Sequence, residues 1–453
     1  MLLSMLMSSY GRGAADPRLK SSLRRPEQNG WIYVHLEGKP AEIGFQHGYH
    51  LAPEIEDAQK VVALELTRDT KRDWQFYRDA AQKIEAEYRD ELNGIAEGLK
   101  ARGVKLDLWD VVATNAWLEF PYYSNWLAKQ KAATGNPHTA PIAERCSAFV
   151  ATGSFTKDGG IVIGHNSWTN YLDGERWNII FDIVPEKGHR IIMDGFPGLI
   201  HSADDFGINA AGMMITETTI TGFSGWDPNG IAEFVRARKA MQYSTSIDDF
   251  VRIMREGNNG GYANNWLMAD RKTNEIASLE LGLKNVTLRR SRNGYFLGSN
   301  CPVNRNLTRE ETNFDPNDAS LSANARRIRW LQLMAEYKGR IDVAAGQKFL
   351  SDHFDTFAKK TDPNERSLCG HVDLSPRGMR GWQEPYAAAG AVQAKVSDSA
   401  MAEGMSLTAS MGHSCGIHFK AAGYLARHPE FEWQKPFLRD MDSRPWTEFT
   451  ILR

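Results

Sequence analysis

The sequence is poor in cysteine and has no long apolar run, and both absences narrow the class of protein. Only four cysteines occur among 453 residues, which is too few for a disulfide-stabilised scaffold. They leave room for one or two disulfide bonds and do not decide the cellular compartment. No stretch of 18 or more apolar residues is present, so the sequence predicts no membrane-spanning helix.

A surplus of positive charge and several common catalytic motifs are also missing. The formal net charge is −2, so the chain has no basic excess that would attract nucleic acid or an anionic membrane. The patterns GxGxxG after a strand, GxxxxGK[ST] and GxSxG do not occur, which argues against nucleotide binding and against a serine α/β-hydrolase. We therefore expect no cofactor. The sequence is compatible with an oligomer but does not indicate the number of subunits.

The length fits one large domain or two closely packed ones. Residues 1–29 begin with a short apolar stretch that lacks a basic start and a long apolar core, so we interpret them as a tail or weak leader. Residues 30–145 are predicted to form a helical segment that ends in a loop and packs on the main domain. Residues 146–453 are predicted to form that domain.

Hydrophobic periodicity predicts strands in hairpins, separated by blocks of helix. Apolar residues recur every three or four positions over residues 84–99, as on one face of a helix, and Gly103 is a plausible end of it. Hairpins surrounded by helices indicate an α+β layered domain with antiparallel sheets. The predicted strand runs are 30–38, 146–155 with 161–168, 177–184 with 189–196, 206–220, and 264–270 with 275–282.

Cys146 stands at the first position of a strand-like run and directly follows a loop, residues 121–145. A cysteine there could simply pack as a small apolar side chain, and the local pattern alone favours this interpretation. Alternatively, its thiol attacks the carbonyl of Arg145, and water then hydrolyses the resulting thioester. Cys146 would become a new N-terminus whose α-amine accepts the proton of its own thiol.

Four segments, in this order, resemble the phospholipase B-like proteins and, more distantly, the autoproteolytic acyltransferases of the penicillin acyltransferase type. They are CSAFVA with GHNSW, then FPGLIHSADDFGINAAGMMITETTI, then YANNWLMAD, and finally AVQAKVSDSAMA. Both families are N-terminal-nucleophile (Ntn) hydrolases. The resemblance implies a four-layer αββα sandwich, self-cleavage between Arg145 and Cys146, and hydrolysis or transfer of an acyl group on an amide or ester.

The implied substrate is a small acylated or lipid-like molecule, and the implied activity is that of a phospholipase B-like hydrolase. An acyltransferase or amidase acting on small N-acyl compounds is an alternative within enzymes. A catalytically silent Ntn fold that serves as a binding protein is an alternative outside them. The resemblance is compatible with an extracytoplasmic or lysosome-like location, which the sequence does not fix.

The resemblance also implies roles for individual residues. Cys146 matches the family's nucleophile, and His165 and Trp168 match the His and Trp of an HNxW block that shapes the pocket. The bile-salt hydrolase and acyltransferase relatives carry a pattern closer to GRNxD there, so this chain lacks their charged pair.

Further pocket residues follow from the second and third segments. An Asn is implied to donate to the oxyanion of the tetrahedral intermediate, and either Asn264 or Asn265 matches it, because YANNW differs from the family's YNNQW. Thr219 is implied to help bind the substrate carbonyl. Glu217 alternates with Thr219 in the same strand, would share its face and could orient the α-amine. A turn-forming Asn pair and a β-branched strand residue are the structural alternatives.

A second group of Cys and His residues lies near the C-terminus. Its spacing, CxH followed by HxCxxH, lacks the CxxC and HExxH patterns of familiar zinc sites. From spacing alone we therefore expect no metal. The residues are Cys369, His371, His413, Cys415 and His418.

Overall fold

Most of the predicted strands and helices occur in the structure, a computed structural model that describes residues 16–68, 74–131, 146–202, 206–379 and 384–452. The strands are β1 (Leu23–Arg24), β2 (Ile32–Gly38), β3 (Ser147–Thr152), β4 (Val162–Asn170), β5 (Ile179–Pro185), β6 (Ile191–Gly195), β7 (Gly207–Asn209), β8 (Met213–Thr219), β9 (Asn264–Asp270), β10 (Glu275–Leu281), β11 (Val286–Ser291), β12 (Gly294–Gly298), β13 (Phe354–Asp355), β14 (Lys360–Thr361), β15 (Ala389–Asp398), β16 (Ser406–Met411) and β17 (Thr447–Thr450). The helices are α1 (Pro40–His50), α2 (Ala52–Arg68), α3 (Trp74–Gln82), α4 (Ala86–Ala101), α5 (Leu108–Ala116), α6 (Phe120–Lys131), α7 (Tyr171–Gly174), α8 (Glu233–Tyr243), α9 (Ile247–Arg255), α10 (Arg305–Glu311), α11 (Ser322–Glu336), α12 (Val343–Leu350), α13 (Ser399–Glu403) and α14 (Ala421–Arg427).

Two large sheets carry the fold. Over the described ranges, the first sheet has nine strands in the order β1-β2-β5-β6-β7-β8-β9-β10-β11, and the second has six in the order β12-β3-β4-β15-β16-β17. Strands β13 and β14 form a separate small ribbon. The predicted hairpins β3–β4, β5–β6 and β9–β10 are antiparallel pairs. The predicted run 206–220 contains two strands, β7 and β8, which also pair antiparallel.

Three apolar cores show the order of the layers. One lies between α1–α5, α8, α9 and the outer face of the first sheet. A second joins the inner faces of the two sheets, with Ile163, Met214 and Leu407 among its fully buried members. A third packs Trp330 of α11 and Phe349 of α12 on the outer face of the second sheet. The chain therefore has the expected αββα order of layers.

One pair of strands departs from the antiparallel prediction. Strand β2 runs parallel to β5, with Ile32 opposite Ile179 and Gly38 opposite Pro185. A long segment with α1–α6 separates the two strands, and such a crossover allows neighbouring strands to run in the same direction. Residues preceding Cys146 thus form part of the first sheet itself, and β1, within the predicted tail, pairs with β2.

The predicted amphipathic face on residues 84–99 is buried, and Gly103 follows α4 with φ +80°. Among the described helices, none has the length and apolar character that crossing a membrane requires.

Helices α1 and α4 pack with their backbones in direct contact through two GxxxG pairs. A β-carbon added at Gly44 would lie 1.9 Å from the carbonyl oxygen of Glu91, and one at Gly94 would lie 2.4 Å from that of Ala41. Gly48 and Gly98 are equally close to the opposite backbone. Because backbone atoms cannot move aside as a flexible side chain can, only glycine fits at this crossing.

We expect Gly94→Ala to destabilise the protein by about 1–3 kcal/mol or more, because the two helices must separate to admit one methyl group. Gly423→Ala is the matched control. Gly423 lies in α14, where the nearest atom to an added β-carbon is 3.6 Å away, so alanine should raise stability by up to about 1 kcal/mol. Urea denaturation of both variants measures the difference. Equal stability of the two variants would contradict the close backbone packing.

Candidate active site

Cys146 immediately precedes β3 and is 2% exposed. Its backbone has φ +76°, in the left-handed region that a β-carbon disfavours. Arg145, the predicted partner in self-cleavage, lies outside the described residues, as does the segment 132–144. Cys146 is thus a buried residue in a strained conformation. It lies directly before β3, the first strand of the β3–β4 hairpin in the second sheet.

Three of the predicted residues meet at this position. The Sγ atom of Cys146, a ring nitrogen of His165 and a carboxylate oxygen of Glu217 all lie within 4.8 Å of one another. All three side chains are buried. They come from both sheets, because His165 lies on β4 and Glu217 on β8. The cluster therefore brings a thiol, an imidazole and a carboxylate together in one buried place.

The imidazole of His165 is neutral in this environment. Burial, and secondarily the positive charge of Lys395, hold the pKa of His165 well below its ordinary value. Its Nδ1 atom lies 3.2 Å from the hydroxyl of Ser167. A neutral ring can accept or donate a proton, but it adds no fixed positive charge beside the thiol.

A buried polar network connects His165 to the first sheet. Lys395 donates to Ser167 Oγ at 2.5 Å and to Asp194 Oδ2 at 2.9 Å, and both members of this ion pair have 0% exposed side chains. The hydroxyl of Ser202 donates to the other oxygen of Asp194 at 2.7 Å. The network thus runs from the imidazole to an ion pair that joins β15 to β6.

The structure separates the two asparagine candidates. The amide of Asn265 is already used, since Ser278 Oγ donates to its Oδ1 at 2.7 Å and its Nδ2 donates to the carbonyl of Leu297 at 3.4 Å. The side chain of Asn264 is 1% exposed, and neither its nitrogen nor its oxygen has a hydrogen-bond partner among the described residues. Of the two amides, only that of Asn264 therefore has its hydrogen-bonding groups unused among the described residues.

Thr219 lies directly opposite Asn264 in the β8–β9 register, and Glu217 lies opposite Trp266. Because alternate residues of a strand share a face, Asn264, Thr219 and Glu217 line the same side of the first sheet. The Thr219 hydroxyl is buried without a hydrogen-bond partner in the described ranges. Tyr262 donates to Glu217 Oε1 at 3.1 Å and so orients the carboxylate.

Trp168 is not part of this cluster. It lies three positions after His165 and so projects from the opposite face of β4, where it joins an outer apolar core. The guanidinium of Arg326 lies 4.5 Å from the centre of its ring. Arg326 also donates to the carbonyl oxygen of Cys146 at 2.5 Å and to Asn300 Oδ1 at 2.8 Å. Trp168 therefore supports the arginine that holds the Cys146 backbone.

Several residues of the site were not predicted from the sequence. Ser167, Tyr262 and Lys395 lie within the GHNSW, YANNW and AVQAKVSDSAMA segments, so their position beside predicted residues was a usable signal. Arg326 and Asp194 have no such signal, because an arginine in a helix and an aspartate in a strand are ordinary in sequence. Only the packing of α11 and β6 against the site shows their role.

The neutral state of His165 gives the stability a pH dependence. Below about pH 6.5 the histidine of the unfolded chain takes up a proton that the folded chain rejects, so acid favours unfolding. From about pH 7.5 to about pH 5.0 this effect amounts to about 2 kcal/mol. Between these two pH values, we expect His165→Asn to lose about 2 kcal/mol less of its free energy of unfolding than the wild type loses. Urea denaturation at both pH values measures the two losses. Equal losses would show that His165 titrates in the fold as it does in water.

Comparisons with known proteins relate this chain to the phospholipase B-like proteins. The model of the family described as Phospholipase B matches residues 65–306, slightly more than half of the chain. An uncharacterized protein of Archaeoglobus fulgidus is 24% identical over 253 residues, which cover 51% of this chain and 40% of that protein. Phospholipase B-like protein C of Dictyostelium discoideum is 24% identical over 201 residues, covering 40% and 35%.

Phospholipase B-like protein F of the same organism is 30% identical over 141 residues, which cover 29% of this chain and 24% of that protein. The matches to these relatives therefore span less than half of the relatives' own length. Among solved structures, a variant of the conjugated bile acid hydrolase from Clostridium perfringens aligns with 59% of this chain and 89% of its own, at a TM-score of 0.34 and 10% identity. On the family-model match, the chain belongs to the phospholipase B family.

Proposed function

We propose that this protein is an N-terminal-cysteine hydrolase that activates itself by cleavage between Arg145 and Cys146 and then cleaves an acyl amide or ester bond. The observation that carries the proposal is the meeting of Cys146, His165 and Glu217 within 4.8 Å at the start of β3. Membership of the phospholipase B family supports an acyl substrate. The fold hosts many acyl groups, so the family name does not by itself define the substrate.

The backbone at Cys146 favours cleavage of the preceding bond. A non-glycine residue at φ +76° costs on the order of 1–3 kcal/mol, and the surrounding contacts must maintain this conformation. The Arg326 guanidinium provides one such contact by holding the carbonyl of Cys146. Hydrolysis of the Arg145–Cys146 bond removes the φ constraint altogether, because a free α-amine has no preceding carbonyl. Cleavage therefore releases strain that the precursor stores.

Activation proceeds through a thioester. The thiolate of Cys146 attacks the carbonyl carbon of Arg145, the C–N bond breaks, and the nitrogen takes a proton to become the α-amine of Cys146. Water then adds to the thioester, which returns the thiol and leaves a carboxylate on Arg145. The neutral imidazole of His165, within 4.8 Å of the thiol, would carry the proton between sulfur and nitrogen.

The mature site repeats the same chemistry on a substrate. The α-amine of Cys146 removes the thiol proton, and Glu217, oriented by Tyr262, stabilises the ammonium that forms. Sulfur attacks the acyl carbonyl, the leaving amine or alcohol takes the proton, and water hydrolyses the acyl-thioester. The unpaired amide of Asn264 donates to the oxyanion in both steps. Thr219, opposite Asn264 in the strand register, would contact the same carbonyl.

Self-cleavage is tested by intact mass under denaturing conditions. We expect the wild type to separate into one piece ending at or before Arg145 and one beginning at Cys146, because the thiol is the attacking group. Cys146→Ala should remain a single uncleaved chain. Cys301→Ala is the matched control, since Cys301 is another buried cysteine and contacts Asn324 rather than the site.

Cleavage that persists in Cys146→Ala would assign the cut to another protease. A wild type that stays uncleaved, also after mild acid treatment, would leave Cys146 as a packed core cysteine and would contradict the proposal.

Asn264 and Asn265 are distinguished by activity after cleavage. With a p-nitrophenyl acyl ester, an N-acyl amino acid and phosphatidylcholine vesicles as probes, Asn264→Ala should lower kcat by about 10²- to 10³-fold, because the oxyanion loses its donor. Asn265→Ala should instead lower thermal stability, because Ser278 and the carbonyl of Leu297 lose their partner. The reverse assignment follows if Asn265→Ala loses kcat while Asn264→Ala keeps it.

Hydrolysis of the N-acyl amino acid without hydrolysis of phospholipid would identify a small-molecule amidase.

A further inference from the structure

A second cluster of chemically active side chains lies apart from Cys146, on the outer side of the second sheet. It consists of His353, Cys369, His371 and Cys415, whose nitrogen and sulfur atoms all lie within 4.8 Å of one another. Cys369 and His371 are fully buried, whereas His353 and Cys415 are partly exposed. The four residues come from three separate loops, which follow α12, β14 and β16.

We propose that His353, Cys369, His371 and Cys415 bind one zinc ion in a closed tetrahedral site. Two thiolates and two imidazoles are a ligand set that zinc favours over magnesium or calcium, which prefer oxygen. Four protein ligands leave no position open for a substrate, so the ion has a structural role.

The distances agree with a tetrahedron. Zinc binds sulfur at about 2.3 Å and imidazole nitrogen at about 2.0–2.1 Å, so the sulfur–nitrogen edge of the tetrahedron is about 3.6 Å. The Nε2 atom of His371 lies 3.7 Å from Cys369 Sγ and 3.5 Å from Cys415 Sγ. Both distances therefore match the spacing that a shared metal ion imposes.

The surroundings of the cluster also suit a metal. The Nε2 atom of His353 is buried and has no hydrogen-bond partner in the described part of the chain. Asp373 Oδ1 lies 4.0 Å from His371 Nδ1, on the side of the ring away from the two sulfurs, and is fixed by a 2.7 Å hydrogen bond from Tyr171. A carboxylate behind a ligating imidazole is the usual second partner of a zinc-bound histidine.

Spacing alone does not predict this ligand set. His353 lies 16 positions before Cys369 in the printed sequence and belongs to no local motif. His418, which the HxCxxH pattern includes, is instead half exposed and lies 3.4 Å from Asp442. The ring of His413 packs against that of His371, with ring centres 4.0 Å apart and an angle of 33° between the ring planes.

The ion would connect the loops that form the wall behind the candidate active site. Gly370 lies between two of the ligands, and a β-carbon there would be 2.0 Å from the ring of Trp168. The ring of Trp168 also contacts Arg326, which holds the carbonyl of Cys146. A metal that fixes residues 369–371 therefore also fixes the support of the Cys146 backbone.

The proposal is tested by measuring the metal content of the untagged protein, whether cleaved or not. The protein is produced in medium supplemented with zinc, desalted, and analysed by elemental mass spectrometry. We expect one zinc per chain in the wild type and in the control Cys301→Ser. Cys415→Ser and Cys369→Ser should each lose most of it. Replacement of zinc by Co²⁺ should give thiolate-to-metal charge-transfer bands and the intense visible bands of tetrahedral cobalt.

Because the serine variants could fail to fold, a second measurement uses the wild type alone. Titration with a thiol-blocking mercurial should release one zinc per chain to a colorimetric chelator and lower the melting temperature. Wild type that holds no more zinc than Cys415→Ser, or octahedral cobalt spectra, would overturn the proposal. So would a disulfide between Cys369 and Cys415 in protein prepared without reductant. The metal content does not depend on acyl hydrolysis, so the proposal fails or succeeds separately from the proposed function.

Discussion

The ion pair between Lys395 and Asp194 crosses the layer between the two sheets, and the geometry of the candidate site depends on it. Both side chains are fully buried, so removal of either partner would leave an uncompensated charge, at a cost of about 3–5 kcal/mol. Lys395 lies opposite His165 in the β4–β15 register, and Asp194 lies on β6 of the first sheet. The pair therefore fixes the second sheet over the first, which brings His165 beside Glu217.

Strand β4 serves two different centres because successive side chains point to opposite faces. His165 and Ser167 face the first sheet and join the polar network beside Cys146. Asn166 and Trp168 face outward. The amide of Asn166 donates to the carbonyls of Leu350 and Leu368, and so holds the loops that carry His353 and Cys369. A single strand thus connects the cluster around Cys146 to the Cys and His cluster.

How well a feature could be predicted from the sequence depends on how far apart in the chain the contacting residues lie. The hairpins β3–β4 and β9–β10 were predicted, because alternation and a turn are local signals. The parallel pairing of β2 with β5 was not, because the partners are far apart in sequence. The amides of Asn264 and Asn265 could not be distinguished from the sequence. Adjacent strand residues face opposite sides, and only the structure shows that the amide of Asn265 is already hydrogen-bonded.

The sequence by itself determined the α+β class, the hairpins and the position of Cys146 at the start of a strand, because periodicity and turn residues act over a few positions. Its resemblance to the phospholipase B-like proteins implied pocket roles for His165, Trp168, Thr219 and one of two asparagines, and strand alternation added Glu217. Only the tertiary structure decided that Trp168 supports Arg326 and that His353 joins Cys369, His371 and Cys415. These contacts join residues from separate elements, and the packing of layers, which no local pattern encodes, brings them together.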